Sequence, residues 1–253
     1  MKAKFVAALS IATAALLAQS FEVATIKPTE PDWKGGRYMT MKGAQFAAKN
    51  FKLRYLIASA YDLSLGAVSG GPSWIDDDHY DILAKTPGDV KPSPEEQMSM
   101  LRQLIGDRFQ LSFHREPKQF SIYVLSISKG GPKLREPTPS PNGPQPLIFS
   151  IAPNAVKLPA REATVAELAS VMQRAVLDRP IVDKTGLSGR YDFDLEWTPE
   201  ETQFNNLGLH GTAESTKPDL FAAIQQQLGL RLEAARGPIE AMVIDKIERP
   251  SAN

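Results

Sequence analysis

Three acidic residues stand at every second position of one short segment. These are Asp192, Asp194 and Glu196, and the positions around them hold Tyr191, Phe193, Leu195 and Trp197. Side chains two positions apart project from the same face of a strand, so the carboxylates would lie about 7 Å from one another. Carboxylates at such separations can serve glycoside hydrolysis or metal binding. A solvent-facing sheet surface also carries such a row without any chemistry, and we favour that interpretation.

A second acidic group lies at Asp76-Asp77-Asp78-His79. Asp76, Asp78 and His79 are candidate metal ligands, because carboxylate oxygen and imidazole nitrogen both coordinate divalent ions. Consecutive residues cannot all point at one ion, however, and no second group of ligands has a suitable spacing. We favour a solvated turn for this segment, and we expect no metal and no cofactor.

The sequence carries no catalytic signature. His79, His114 and His210 stand in different segments, and the motifs of serine hydrolases, zinc proteases and phosphate loops are missing. Without cysteine the chain has neither a thiol nucleophile nor disulfides. Lys plus Arg equals Asp plus Glu at 29 each, so the overall charge gives no basic footprint for nucleic acid. We therefore lean against an enzyme and expect no nucleic-acid partner.

Four aromatic residues are the predicted binding residues. Trp33 stands in a Pro-Asp-Trp-Lys-Gly-Gly segment, and Trp74 follows a Gly-Gly-Pro turn. Large amphipathic rings in turns can anchor a protein or a sugar, although either ring could fold back onto its own domain. Tyr80 and Tyr191 begin two matching Tyr-Asp segments and complete the set.

The segments that must position these residues occur twice. Residues 50–60 match residues 162–172, and residues 80–82 match residues 191–193, both at an offset of about 111 residues. Self-similarity at a steady offset is typical of repeated architecture. We predict an α+β fold that is internally duplicated, with two similar small domains of helices packed on short, mainly antiparallel sheets. One pseudo-symmetric body built from both copies is the alternative.

Local patterns predict the elements of each copy. Alternating apolar and polar residues indicate strands at 21–28, 79–85 and 190–197. Helices are predicted from residue 53, after Ser93, after Thr164 and over residues 218–228. Hairpins are predicted at residues 109–128, with a turn at Glu116-Pro117, and at residues 230–248, with a turn at Gly237-Pro238.

Composition divides the chain into four parts. Residues 1–20 combine a basic start, an apolar core and small residues before Phe21, which predicts a signal peptide. The apolar run is too short for a comfortable membrane span, and an uncleaved anchor is the alternative. The first α+β repeat covers residues 21–136, five prolines within 137–146 indicate a linker, and the second repeat covers 147–250. We expect a secreted or periplasmic protein without stable membrane insertion.

Several motifs occur together along the mature chain: FEVATIKP at residues 21–28, GGPSW at 70–74, DRF at 107–109, HRE at 114–116 and KGGPKL at 129–134. In combination they resemble the Solibacter-type family of secreted proteins of unknown function, which is expanded in soil acidobacteria. The resemblance implies an exported protein, found in some relatives as the extracytoplasmic part of a membrane-bound peptidase or sensor-like chain. The order of elements also resembles, more distantly, the short N-terminal domain of secretins and TonB-dependent receptors, which binds partner proteins.

Three functional hypotheses follow. The leading one is an exported binding or interaction module for a cell-envelope protein or glycan, with sheet edges and turn aromatics as its contact surfaces. The first alternative is an extracytoplasmic hydrolase that uses the carboxylates of the second repeat. The second alternative is a detached sensor domain of a membrane signalling or peptidase system.

Overall fold

The structure is a computed structural model that describes residues 20–88, 91–141, 143–152, 155–204 and 217–250. Within these ranges, eleven strands and five helices form three mainly antiparallel sheets. This arrangement confirms the predicted α+β class. The predicted signal peptide, apart from Ser20, and most of the polar segment before the last helix lie outside the described residues.

The first half of the chain forms a four-stranded antiparallel sheet with the strand order β1-β5-β3-β2. Its strands are β1 (Val23–Pro28), β2 (Tyr38–Lys42), β3 (Gln45–Lys52) and β5 (His79–Lys85). Helices α1 (Leu53–Ala60) and α3 (Pro94–Phe109) bury their apolar faces in the same core as the sheet. The predicted start of α3 is confirmed, since the Ser93 hydroxyl accepts a hydrogen bond from the Glu96 amide and the Glu96 carboxylate accepts one from the Ser93 amide.

The second half contains a three-stranded sheet with the order β10-β8-β7. Its strands are β7 (Ser150–Ala152), β8 (Ala155–Thr164) and β10 (Arg190–Trp197). Helix α4 (Val165–Val171) begins at the predicted Thr164 cap and continues as a π-helix over Met172–Val176. Helix α5 (Leu220–Ala223) likewise continues as a π-helix over Ile224–Leu228 and ends at Gly229, as predicted.

A third sheet joins the two halves. Its centre is an antiparallel pair of long strands, β6 (Ser112–Ile127) and β11 (Leu230–Lys246). Two short strands pair in parallel at the ends: β4 (Val68–Gly70), which precedes the one-turn helix α2 (Trp74–Asp77), pairs with β11, and β9 (Ile181–Asp183) pairs with β6. The two predicted hairpins are therefore wrong, because each segment runs straight through its proline and pairs with the other.

The ladder explains why neither proline turns its strand. The Ser128 amide donates to the Gly229 carbonyl at 3.0 Å, and hydrogen-bonded pairs alternate along an antiparallel ladder. In the continuous register, Pro117 faces Glu240 and Pro238 faces Gln119. Both prolines thus occupy the intervening, non-hydrogen-bonded pairs, where the missing amide proton would point away from the partner strand.

Each hydrophobic core draws on both halves of the chain. The first core contains residues from Ile26 to Phe109 together with Met242 and Ile244 of β11. The second core contains residues from Val156 to Leu232 together with Tyr123 and Leu125 of β6. The predicted repeats at 21–136 and 147–250 are thus joined by strands that cross between them. In both halves, a bulged strand is followed by a helix and later by one of the two long strands. The duplication itself stays a prediction.

Each of the two Gly-Gly-Pro segments contacts backbone atoms of the other half of the chain. A Cβ atom on Gly70, which has φ +77°, would lie 2.6 Å from the carbonyl oxygen of Ile244. A Cβ atom on Gly229, which has φ +64°, would lie 2.1 Å from the carbonyl oxygen of Gly131. Glycine is therefore required by backbone contacts between the halves at both places.

Candidate functional site

A buried aspartate organises one end of the first sheet. The register between β3 and β5 breaks between Ala48 and Phe51, and within this bulge Asn50 has φ 60°. The Asp81 carboxylate accepts hydrogen bonds from the Asn50 amide at 3.1 Å, from the Thr29 hydroxyl at 2.7 Å and from the Lys49 ammonium. One carboxylate thus ties β1, β3 and β5 together at the point where β1 ends.

Lys49 connects this carboxylate to an exposed indole. Its ammonium lies 4.5 Å from the centroid of the Trp33 ring while it pairs with Asp81. Burial alone would raise the pKa of Asp81, but the hydrogen bonds from Lys49, Thr29 and the Asn50 amide outweigh it and lower the pKa. The hydrogen bond to Asp81 in turn raises the pKa of Lys49. Both groups therefore stay charged at neutral pH.

Beside this cluster lies a cleft of about 490 Å³. It is lined by Pro28, Thr29, Glu30, Pro31, Trp33, Asn50, Asp78, His79 and Tyr80. The cleft brings together Trp33 and Tyr80, two predicted binding residues, with Asp78 and His79, two candidate metal ligands. Clefts of this size are typical of small-ligand sites. We call it the Trp33 cleft.

One wall of the Trp33 cleft is braced from behind. The Tyr80 hydroxyl donates to Asp78 at 3.4 Å, and burial raises the pKa of that phenol. Arg249 donates to the same carboxylate from Nε at 3.0 Å and lies 4.9 Å from the centroid of the Trp74 ring. Trp74 is therefore packed behind the wall, and it is not among the residues that line the cleft.

The candidate metal ligands face different partners. Asp76 accepts two hydrogen bonds from Arg54, each 2.7 Å long, which lower the pKa of its carboxyl. Asp78 pairs with Arg249, and the His79 ring nitrogen Nδ1 lies 3.1 Å from the Asp77 carbonyl oxygen. Across the described ranges, no group of three or more His, Asp or Glu side chains is arranged to hold a metal ion.

The carboxylates of the alternating row are also engaged. Asp194 lies between Arg135, at 2.7 Å, and Arg161, at 2.9 Å. Burial opposes ionisation of Asp194, but these two arginines outweigh it and lower its pKa. The pKa of Glu196 is lowered chiefly by Lys217 and further by Lys157. A glycosidase needs one carboxyl with a raised pKa to act as an acid, and this row provides none.

Asp192, the third member of the row, is buried and structural. Its carboxylate accepts hydrogen bonds from the amides of Glu162 at 2.9 Å and Thr138 at 3.1 Å, and the Glu162 amide is the chief cause of its lowered pKa. Ser140 also donates its amide to the Glu162 carboxylate at 3.1 Å. The start of the predicted linker is thus tied to the second sheet.

Tyr191 does not line the Trp33 cleft. It packs against the second core, and its hydroxyl would lie 2.9 Å from a Cβ atom on Gly189. Asn50 and Glu162 occupy matching bulges in the two halves, but their surroundings differ. Asn50 lines the Trp33 cleft, whereas the Glu162 carboxylate accepts a hydrogen bond from Ser140 of the predicted linker. The binding roles of Trp33, Trp74, Tyr80 and Tyr191 stay predictions.

Sequence reasoning missed Thr29, Glu30, Lys49 and Asn50. The asparagine carried a usable signal, because Asn adopts the left-handed backbone conformation more readily than most residues. Nothing local marked Lys49, since its partners Trp33 and Asp81 are distant in sequence and meet only when the sheet forms.

Comparisons with known proteins give one match. A family model described as a protein of unknown function, DUF3738, matches residues 54–247, about three quarters of the chain. No curated protein and no solved structure matches the chain. The matched range begins after β3, so it includes Asp78, His79 and Tyr80 of the cleft but not Trp33. None of the helices in the described ranges has both the length and the apolar character of a membrane span.

Proposed function

The chain belongs to the DUF3738 family, whose function is unknown, and we propose that it is an exported binding module that holds a glycan of the cell envelope in the Trp33 cleft. The supporting observation is the convergence of Trp33 and Tyr80 with Glu30 and Asp78 around one concave volume of about 490 Å³. A secreted or periplasmic location is part of the proposal.

The lining of the cleft favours a hydroxyl-rich ligand. Glu30 and Asp78 supply carboxylate acceptors, and Asn50 and Thr29 supply an amide and a hydroxyl group. Trp33, which is 36% exposed, and the two prolines provide the apolar surface that the carbon-bound hydrogens of a sugar can contact. Sugars combine dense hydroxyl groups with small apolar patches, so they match this mixture.

The cleft is also held in shape before any ligand arrives. Asp81 fixes Thr29, Asn50 and Lys49, and Lys49 in turn lies against the Trp33 ring. A site whose side chains are already ordered loses less conformational entropy on binding. The rigid floor therefore supports recognition of a small ligand over a mechanism that orders a flexible loop.

A glycan fits this concave site better than a protein partner does. Stable protein interfaces bury about 800 Å² on each side, whereas the Trp33 cleft is a local concavity lined by nine residues. A sensor domain would bind its ligand in the same cleft. It would differ from a simple binding module because it would then contact a membrane signalling or peptidase protein. The carboxylate row gives less support to hydrolysis, because Asp192 is held by the Glu162 and Thr138 amides and both Asp194 and Glu196 are paired with basic side chains.

The test is a binding titration of residues 21–253 with soluble neutral and acidic oligosaccharides, followed by calorimetry and by saturation-transfer NMR. We expect Trp33→Ala to weaken binding of the recognised sugar by at least about tenfold, as for an anchoring aromatic residue. Trp74→Phe is the matched control and should bind as the native protein does. Failure of every oligosaccharide to bind, or unchanged binding by Trp33→Ala, would overturn the proposal.

A further inference from the structure

The first sheet covers its core with one face and leaves the other face exposed. Phe46, Ile82 and Ala84 project inward and are buried. On the opposite face, Val23 is 61% exposed and Leu83 is 59% exposed. This outer face is therefore an open surface of four strands.

The strand register arranges the outer side chains in three rows across the strands. The first row contains Val23, Lys85, Gln45 and Lys42. The middle row contains Thr25, Leu83, Ala47 and Thr40. The third row contains Lys27, Asp81, Lys49 and Tyr38. Neighbouring rows lie about 7 Å apart, so the first and third rows are separated by about 13 Å.

Charge on this face is strongly one-sided. It carries four lysines and one aspartate, Asp81, which is buried against Lys49. Lys27, Lys42 and Lys85 are exposed, and none of them forms an ion pair with another described residue. The whole chain has equal numbers of basic and acidic residues, so this accumulation is local. We call the surface defined by Lys27, Lys42, Lys49 and Lys85 the basic face.

We propose that the basic face binds an acidic polysaccharide that lies across the strands along the middle row. The side chains of that row are short apart from Leu83, and they lie between Lys42 and Lys85 on one side and Lys27 on the other, while the Lys49 ammonium stays paired with Asp81. Carboxylate groups on either side of a sugar chain would then meet the ammonium groups. This inference rests on the proposed function, because it assigns the chemical class of the glycan.

The basic face adjoins the Trp33 cleft. Lys49 belongs to the third row and also lies against the Trp33 ring, and Thr29 of the cleft donates to Asp81 of the same row. A sugar chain on the middle row therefore lies one row away from the cleft, and one of its residues can enter the cleft past Lys49. This continuity favours a polysaccharide over other polyanions.

Other polyanions match the face less well. Single-stranded nucleic acid is usually held by several aromatic rings that stack on successive bases, whereas the three rows of this face contain one exposed ring, Tyr38. Docking to an anionic membrane usually combines basic side chains with inserted apolar area, and Val23 and Leu83 are the large exposed aliphatic side chains that this face would insert. Both ligands nevertheless serve as competitors in the test.

The experiment measures binding of residues 21–253 to polygalacturonate and to uncharged dextran, at low and at high salt. The test variant is Lys42→Gln/Lys85→Gln, since both lysines lie in the row farthest from the cleft. The matched control is Lys129→Gln/Lys184→Gln, which removes the same charge from two exposed lysines outside the first sheet. We expect the test variant to weaken polygalacturonate binding about tenfold at low salt, and the control to stay within about twofold of the native protein.

The outcomes separate this inference from the proposed function. Loss of binding in Lys42→Gln/Lys85→Gln but not in Trp33→Ala supports the basic face and overturns the cleft. Loss in Trp33→Ala but not in the lysine variant supports the cleft and overturns the basic face. Absence of polygalacturonate binding, or tighter binding of anionic vesicles or of single-stranded DNA, also overturns the assignment of an acidic polysaccharide.

Discussion

Asp81 and Asp192 make the same contact in the two halves of the molecule. Each accepts a hydrogen bond from the backbone amide of a residue with positive φ, Asn50 at 3.1 Å and Glu162 at 2.9 Å. Each also contacts a threonine that follows a proline, Thr29 or Thr138. In both halves, the Tyr-Asp segment therefore clamps a bulge between two strands.

Removing the first of these clamps should cost stability. We expect Asp81→Ala to lower the free energy of unfolding by about 2 kcal/mol, because it leaves the part-buried Asn50 amide and the Thr29 hydroxyl without their acceptor. Asp192→Ala should act in the same direction. Asp194→Ala, in the same strand as Asp192, is the control, and loss of its exposed ion pairs should cost less than about 1 kcal/mol. Urea denaturation measures all three, and equal losses in Asp81→Ala and Asp194→Ala would contradict the clamp.

Stability should fall in acid. The folded pKa values of Asp81 and Asp192 lie below the ordinary aspartate value of 3.8. A lowered folded pKa contributes stability that is present above the unfolded value and is lost as the pH falls through the folded value. We therefore expect a level free energy of unfolding down to about pH 5 and a decline below about pH 4. The decline should be shallower in Asp81→Asn, because this substitution removes one of the carboxylates whose pKa is lowered by folding.

The close approach at Gly229 should make that position intolerant of a side chain. Gly43→Ala and Gly229→Ala both place alanine at positive φ, which costs about 1 kcal/mol. Gly43 has no other atoms within 4 Å of the added Cβ, whereas Gly229 meets the Gly131 carbonyl oxygen at 2.1 Å. We expect Gly229→Ala to cost at least about 3 kcal/mol in urea denaturation. Similar losses for the two variants would refute the role of backbone crowding.

Pro117 and Pro238 should protect the outer edges of the long strand pair. Both lie in non-hydrogen-bonded pairs, so replacing them adds amide donors that point outward. We expect Pro117→Val/Pro238→Val to change stability by less than about 1 kcal/mol and to increase self-association in analytical ultracentrifugation. The control is Pro139→Val/Pro144→Val, in a segment without strands. If Pro117→Val/Pro238→Val sediments as the control and the native protein do, Pro117 and Pro238 have no protective role.

Local signals in the sequence predicted the local elements well. The capping pairs Ser93 with Glu96 and Thr164 with Glu167 act within one turn of chain, and both appear as expected. The strand at residues 79–85 was likewise visible in its alternation. The two hairpins failed because strand pairing is a choice between partners, and each long strand pairs with a segment over 100 residues away.

The candidate site was only half visible for the same reason. Trp33 was selected for its amphipathic ring and Tyr80 for its place in a repeated Tyr-Asp segment, but no local pattern indicated that they would line one cleft. The cleft depends on the bulge at Asn50 and on the contact between the Lys49 ammonium and the Trp33 ring. Both depend on backbone conformation and sheet register, which no short motif specifies.

The crossing of β6 and β11 also sets the order in which the molecule can fold. Met242 and Ile244 complete the core of the first half, so that core stays unfinished on the ribosome until nearly the whole chain has emerged. Pairing of strands so far apart in sequence is intrinsically slow. The second core also contains Leu230 and Leu232 of β11, so both cores are completed by the last strand and the two halves become stable together.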